Sequence, residues 1–415
     1  MMKQGRVVLR TAIDFELPAE VQKLADTAWE LAPQFRERAR EYDKGIRSQK
    51  EDFADLAKAG LLSITVPRSM GGHGLGASDS KNPLGMWAIT KALAYADLCL
   101  ARNWENHVNT IDTMTFSGCS LETQRRWCAK TVENGAVWSN WAAEPPKSNP
   151  DGSTAYIGQT LAEKVDGGWK VNGKKRYANT ATAADVTCVW VMDKAADNFF
   201  DGILMLMTDT HRPEIKIEDW WDAMGMRASD AQEATFQNAF IPDADQVGAA
   251  GAFFKMPAWS MRAVPHYAVS FLGATEAIFD WTIEYVQGRG KGRDQFVRHH
   301  LGQMHAAIEA CNALLKELGK VWARGDEAAI RTASISFRIM AERTALEVAA
   351  HAIKACGSTA FHRQYEFERM YRDIQVYVRH ENIDHMTSNL GALCAQADVH
   401  TYWTPGQVVK AQAES

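Results

Sequence analysis

The sequence has little excess of either charge: 46 lysines and arginines stand against 51 aspartates and glutamates, a net charge of -5. That balance predicts no extended basic surface for nucleic acid. No apolar run approaches the ~20 residues of a membrane-spanning helix; the run 186–192 is typical of the longest. Residues 1–10 lack a long apolar core with a small-residue cleavage site, so they do not read as a secretory signal, and a cytoplasmic location is expected. The seven cysteines are odd in number and contain no Cys-x-x-Cys pair, which argues for free thiols in a reducing compartment. A Gly-x-Gly-x-x-Gly nicotinamide fingerprint is missing too, as is any internal repeat or low-complexity tract. What is plentiful is tryptophan, fourteen residues, enough for packed cores and an aromatic-lined pocket.

A chain of 415 residues, 46% of them apolar, can form two or three packed units. Val21, Leu24, Ala25, Trp29 and Leu31 keep a helical spacing amid charges, which predicts helix over 18–59. Further helices are predicted over 84–114 and 121–132. The texture then changes. From 138 to about 247, short alternating runs are bounded by Gly, Pro, Asn and Asp, which predicts strands, with a hairpin turning at Asp166-Gly167-Gly168. Beyond Pro257, long segments near 262–287, 294–324, 326–356 and 378–398 predict a helix bundle. The fold class is therefore α+β in three parts: an N-terminal helical domain (1–135), a central β-barrel-like domain (136–250) and a C-terminal four-helix bundle (251–415).

Several short motifs sit on this frame. Pro67-Arg-Ser-Met-Gly-Gly-His-Gly74, Glu144-Pro145, the run 171–179 with Ala184-Asp185, Met224-Gly-Met-Arg227, and Arg372-Asp-Ile-Gln-Val-Tyr-Val-Arg-His380-Glu381 follow one another in that order. In this order and spacing they resemble the acyl-CoA dehydrogenase superfamily over nearly the whole chain. The resemblance implies an acyl-CoA dehydrogenase-like fold, a flavin held between the β-domain and the bundle, and assembly as a homotetramer. The chain departs from the dehydrogenases at particular places. Pro146-Lys-Ser-Asn-Pro-Asp-Gly152 replaces the Gly-x-Gly-Ser-Asp that lies near flavin and thioester. Ala143 stands for a flavin-contacting threonine, and Tyr177-Ala178-Asn179 for a Trp-x-Thr motif. The acid that helps hold the acyl-CoA is missing ahead of Arg262, where Ala258 and Trp259 stand. Two segments, Arg293-Asp-Gln-Phe-Val-Arg-His-His-Leu-Gly302 and Arg372 to His380, are more similar to the superfamily's oxygenase branch, the group D two-component flavin-dependent monooxygenases.

The expected activity is oxygenation of a small, aromatic or heteroaromatic substrate. The resemblance implies that FMNH2 or FADH2 comes from a separate NAD(P)H-flavin reductase and that O2 reacts through a C4a-hydroperoxide. The missing nicotinamide fingerprint agrees with reduction elsewhere. In that setting His380 is the candidate to donate a proton near neutral pH, and His107, on a wall helix of the pocket, is a second candidate. Ser139, Asn140, Ala143, Tyr177, Asn179 and Arg372 are expected at the flavin, with Arg372 and Asp373 pairing as ions to anchor their segment. Trp104, Trp141 and Trp259 are expected at the substrate. Glu381 carries the alternative, an acyl-CoA dehydrogenase whose carboxylate abstracts a thioester α-proton. If 378–398 is one regular helix, His380 and Glu381 diverge by ~100° and cannot both enter the site. A third alternative is a catalytically silent flavin-binding scaffold. No metal is expected: His299 and His300 are helical neighbours that face apart, and no partner of the right type lies four residues on.

Overall fold

The computed structural model describes residues 11–148, 154–255 and 262–397, with two short strands at 399–400 and 408–409. The N-terminal part holds α1 (Ala19–Gly45), α2 (Lys50–Lys58), α3 (Leu84–Ala96), α4 (Leu98–Phe116) and α5 (Leu121–Asn134). In α1 the buried positions Val21, Ala25, Ala28, Ala32, Phe35, Ala39 and Tyr42 alternate steps of four and three, so one stripe faces inward. α3 is buried almost all round. It is sandwiched between α1 and the C-terminal helices, and its Lys91 ammonium donates to Glu276 (2.9 Å) and Asn312 (2.7 Å) on two of them.

The central strands are β1 (Trp138–Trp141), β2 (Lys147–Ser148), β3 (Thr154–Ala155), β4 (Leu161–Val165), β5 (Gly168–Ala178), β6 (Val186–Asp193), β7 (Ile203–Asp209), β8 (Ile215–Glu218) and β9 (Gln232–Pro242), with a four-residue helix α6 (Phe199–Gly202) before β7. β2 pairs only with β3. The remaining seven form one sheet in the order β1-β6-β4-β5-β9-β8, with β7 on the other edge of β6. β6 is the hinge of this half-barrel. Its Val186, Cys188 and Trp190 enter one apolar cluster with Trp127 and Cys128 of α5, while Val189 and Val191 enter a second with Trp169 and Phe236. The period of two explains why both faces are apolar.

The C-terminal part comprises α7 (Ala263–Gly288), α8 (Gln295–Arg324), α9 (Glu327–Cys356), α10 (Phe367–Tyr377) and α11 (Ile383–Cys394). α7, α8 and α9 share one apolar core with α1, α3 and α4. The helix expected over 378–398 is broken. The carbonyl of Val378, which would accept the amide of residue 382 in a continuing helix, accepts instead from the Arg338 guanidinium at 2.9 Å. Asn382 then caps α11 by accepting from the amides of Asp384 and His385.

The β-domain is fastened to the bundle where 224–226 lies on α10. Asp373 accepts the Met226 amide at 2.6 Å, and Arg372 donates to the Met224 carbonyl at 2.7 Å. Such an approach requires Gly225, where a Cβ would come within 2.2 Å of the Arg372 carbonyl oxygen. Gly225→Ala should therefore lower the free energy of unfolding by about 1–3 kcal/mol, read from the denaturant midpoint; an unchanged midpoint would show that the contact is slack.

Candidate active site

α4 is the wall between the two halves of the site, and its two faces have different duties. On the back face the Trp104 indole donates to the Leu61 carbonyl at 2.9 Å, and Thr65 donates to the Val108 carbonyl at 2.9 Å. His107 is wholly buried there. One ring nitrogen, Nε2, is 2.8 Å from the Leu62 carbonyl, and the other, Nδ1, accepts the Trp138 amide at 2.8 Å. A carbonyl can only accept and an amide only donate, so the ring is neutral with its proton on Nε2. Burial pushes its pKa down to about 4. His107 thus ties α4 to the 61–66 segment and β1, and has no nitrogen left for substrate. Trp104 and Trp141 are likewise core residues: both are wholly buried, and the Trp141 indole donates to the Asn179 carbonyl at 3.2 Å. Trp259 and its neighbour Ala258 lie outside the described residues.

The front face of α4 carries Arg102, Glu105, Asn106 and Asn109, one or two positions away from the residues picked out in the sequence. Glu105 is buried beside α7 and α10. It accepts from the Tyr377 hydroxyl (2.9 Å) and from Ser270 (3.3 Å), and pairs with Arg102 at 3.1 Å. Burial outweighs these partners and lifts its pKa to about 7. His380 stacks on Tyr267 with ring centroids 5.1 Å apart and meets the edge of Tyr377 at 5.6 Å. The imidazole is reached by solvent yet lies deep in the protein, so it lines a recess. Desolvation, with Arg102 and Arg338 adding, drives its pKa well below the usual value. In the neutral form this favours, the ring can offer an N–H hydrogen bond. Glu381 stands next to it. Burial and the neighbouring Glu105 raise its carboxyl to about 8, and its Oε2 is buried with no partner among the described residues. The Tyr267 hydroxyl is in the same condition.

On the other side, Asn106 donates to Ser139 at 3.0 Å, and Ser139 donates to the Asn179 carbonyl at 2.7 Å, so α4, β1 and the turn after β5 are linked in series. Glu144 accepts the amides of Gln159 and Thr160 and the buried Lys175 ammonium (2.6 Å), which fixes the chain just past Ala143. The Ala143 carbonyl accepts the Arg176 amide at 2.9 Å. Tyr177 is 46% exposed and packs against Trp220, itself 39% exposed, at 5.3 Å, and against Trp221 at 5.8 Å. An exposed aromatic cluster of this kind marks a binding surface. On β1 the Asn140 Oδ1 is buried without a partner among the described residues. An unfilled acceptor and open aromatic faces are each features that suit a planar ring system bearing N–H groups, as a flavin does.

Arg372 does not join this group. Its five N–H groups are committed to Asp43 (2.8 and 3.1 Å), Glu368 (2.8 and 3.2 Å) and the Met224 carbonyl (2.7 Å). It lines a separate recess of about 860 Å³ between α1 and α10 whose walls are largely ion-paired. Nor does it pair with Asp373, whose cation is Arg369 at 3.1 Å. The sequence reading missed Glu105, Tyr267, Tyr377 and Arg102. The signal was present in the four-residue step from Arg102 to Asn106, but choosing the face required knowing what α4 packs against.

With this geometry in place, the chain matches two family models: Acyl-CoA dehydrogenase, middle domain over residues 143–239, and Acyl-CoA dehydrogenase, C-terminal domain over 264–379. A Pseudomonas putida protein named "Probable FMNH2-dependent monooxygenase SfnC" is 24% identical over 391 residues, covering 88% of this chain and 92% of that one. The dibenzothiophene monooxygenase TdsC of Paenibacillus sp. A11-2, solved with FMN and indole, superimposes with a TM-score of 0.82 at 20% identity, over 92% of this chain and all of that one. Butyryl-CoA dehydrogenase of Megasphaera elsdenii gives 0.80 at 21% identity, over 92% of this chain and 100% of that one. The fold alone therefore does not separate oxygenase from dehydrogenase.

The two histidines should separate on substitution. His107→Ala leaves a buried carbonyl and a buried amide unpaired and should lower stability by about 2–4 kcal/mol. His380→Ala loses a ring contact of about 1 kcal/mol. Unfolding midpoints check this; equal losses would refute the assignment of His107 to the framework.

Proposed function

We propose, for a chain that belongs to the acyl-CoA dehydrogenase superfamily, a two-component flavin-dependent monooxygenase activity on a small aromatic or heteroaromatic substrate. Reduced FMN supplied by a separate NAD(P)H-flavin reductase is the favoured cofactor, because SfnC is named for FMNH2 and TdsC was solved with FMN. A cytoplasmic homotetramer is part of the same reading. When bound, reduced flavin supplies the two electrons that activate O2. The remaining tasks fall to the residues of the chain. Asn140, Tyr177 and Asn179 would hold the flavin, with Ser139 orienting Asn179 from behind. Tyr267 and Tyr377 line an aromatic recess that limits water. Neutral His380 presents its N–H into that recess.

The observation that carries the reading is the Glu381 carboxyl beside His380, whose buried Oε2 has no partner among the described residues. Inserting one oxygen atom releases the other as water, which takes up a proton. At neutral pH Glu381, raised to about 8, holds one at its carboxyl. The second reading, a dehydrogenase, is favoured by the same residue, because its unpartnered Oε2 is free to take an α-proton. The two demand opposite protonation states. If Glu381 serves as an acid, kcat/KM falls as pH rises through about 8; if it serves as a base, kcat/KM rises through the same point.

Anaerobic protein loaded with FMNH2 and mixed with O2 should reoxidise its flavin more slowly than free FMNH2. His380→Ala should lower product formed per flavin oxidised by about 10²-fold. Reoxidation at the free-flavin rate, together with bleaching of bound flavin by an acyl-CoA, would establish the dehydrogenase instead. Failure to bind flavin in either redox state would favour the silent scaffold.

A further inference from the structure

Away from the recess, α8 and α9 bring together two histidines that are 51 positions apart in the chain. His300 Nδ1 and His351 Nδ1 are 2.9 Å from each other, with ring centroids at 5.1 Å. Both side chains are half-buried between the helices, and no other hydrogen bond to either ring is present among the described residues. His351 also turns Nε2 toward Glu347, one helical turn earlier, at 3.8 Å from the carboxylate. The helical neighbour His299 meets the His300 ring edge-on with centroids 5.3 Å apart but is not part of the Nδ1 pair, and the partner that α8 lacks at four residues is supplied by α9.

The geometry points to a divalent transition-ion site in which His300 Nδ1 and His351 Nδ1 are the two protein ligands and Glu347 braces the outer nitrogen of His351. In this contact one Nδ1 donates its N–H to the other; with both rings in the Nε2–H tautomer the two Nδ1 lone pairs would instead converge and could share one ion. With metal–nitrogen bonds of about 2.05 Å, a nitrogen separation of 2.9 Å corresponds to an angle of about 90° at the metal. That angle suits the square-planar or octahedral preferences of Cu2+ and Ni2+; tetrahedral Zn2+ would require the rings to part by about 0.4 Å. A carboxylate hydrogen-bonded to the far nitrogen of a ligating imidazole fixes its tautomer and raises its basicity; Glu347, at 3.8 Å, would have to close by about 0.8 Å to do so. Water would complete the coordination, so the site is open and the ion exchangeable. The Lys354 ammonium works against binding through charge and sets no geometry. The consequence for the fold is a clamp joining α8 to α9 at their adjoining faces.

The test uses the full-length chain without a purification tag, titrated with CuCl2 or NiCl2 and followed by calorimetry and, for Cu2+, electron paramagnetic resonance. Expected are one ion per chain, a spectrum split by two nitrogens, and a melting temperature that rises with the ion. His300→Ala and His351→Ala should each weaken binding by at least tenfold, and Glu347→Gln by about tenfold, whereas His299→Ala should bind as the wild type does. Two results would overturn the site: no saturable binding at millimolar ion, or binding that survives the double variant His300→Ala/His351→Ala. Melting temperatures of the ion-free variants distinguish lost binding from lost folding, and a double variant that melts early is replaced by His300→Gln/His351→Gln with the same expected loss.

Discussion

Arg369 is buried on α10 between two carboxylates, 3.1 Å from Asp97 and 3.1 Å from Asp373. Asp97 caps α4 and accepts from Gln49 at 2.7 Å, while Asp373 also accepts the Met226 amide. One guanidinium therefore joins the start of α4, the body of α10 and, through Asp373, the loop between β8 and β9. Removing one partner of such a buried network costs about 3–5 kcal/mol, because the charge left behind has no solvent. Cys99 lies in the same cluster, but burial among these acids holds its thiol well above the usual pKa, and the cation present is the arginine. The recess depends on this junction. Glu105 is two turns along α4 from Asp97, and Tyr377 and His380 lie at and just past the far end of α10 from Arg369.

Burial in the recess favours the protonated forms of its two carboxyls. Glu105 and Glu381, raised to about 7 and about 8, keep protons in the folded state that the unfolded chain releases near 4.5. The native state then binds more protons than the unfolded one in that window, so stability falls as pH rises through it. The buried imidazoles act in the opposite sense. His107 and His266, lowered to about 4 and about 3 chiefly by desolvation, stay neutral where the unfolded chain takes up protons, so stability falls as pH drops below about 6.5. These opposed slopes place the working range of the site near neutrality and leave Arg102 as the charge that every other group in the recess must accommodate.

The architecture was legible because it is written in periodicity. The 4-3 stripe of α1, the continuous apolar run of β6 and the turn at Gly167, with φ of +73°, could all be read without knowing a single contact. The site was legible only as far as its elements. The sequence pointed to the right helix in α4 but to its back face, since Trp104 and His107 look chemically richer than Glu105 and Asn106. Aromatic and imidazole side chains attract attention in a sequence, yet here they fill the core and tie the backbone. The pairing of Arg372 with Asp373 failed for a similar reason. Neighbours on a helix point apart, and each found its partner on another element. The 300/351 pair was out of reach for any reasoning confined to local spacing.

The break after Tyr377 settles a conflict that the sequence posed. In a regular helix His380 and Glu381 would face directions ~100° apart, and only one could reach the recess. Because Arg338 captures the Val378 carbonyl and Asn382 starts a new helix, the two residues occupy a short bend, and both lie against the Glu105 side of the site. Their roles then follow from where the cations are placed. Arg102 bonds to Glu105 and Arg338 to Glu342, so Glu381 has neither as a partner. A guanidinium on Glu381 would hold it ionised and make it a resting base. Without one, and beside Glu105, the carboxyl keeps its proton. Desolvation, with the same cations adding, disfavours protonation of the His380 ring. The same bend thus sets two side chains side by side whose surroundings both favour the uncharged form, the imidazole by burial and cations and the carboxyl by burial and a second carboxyl.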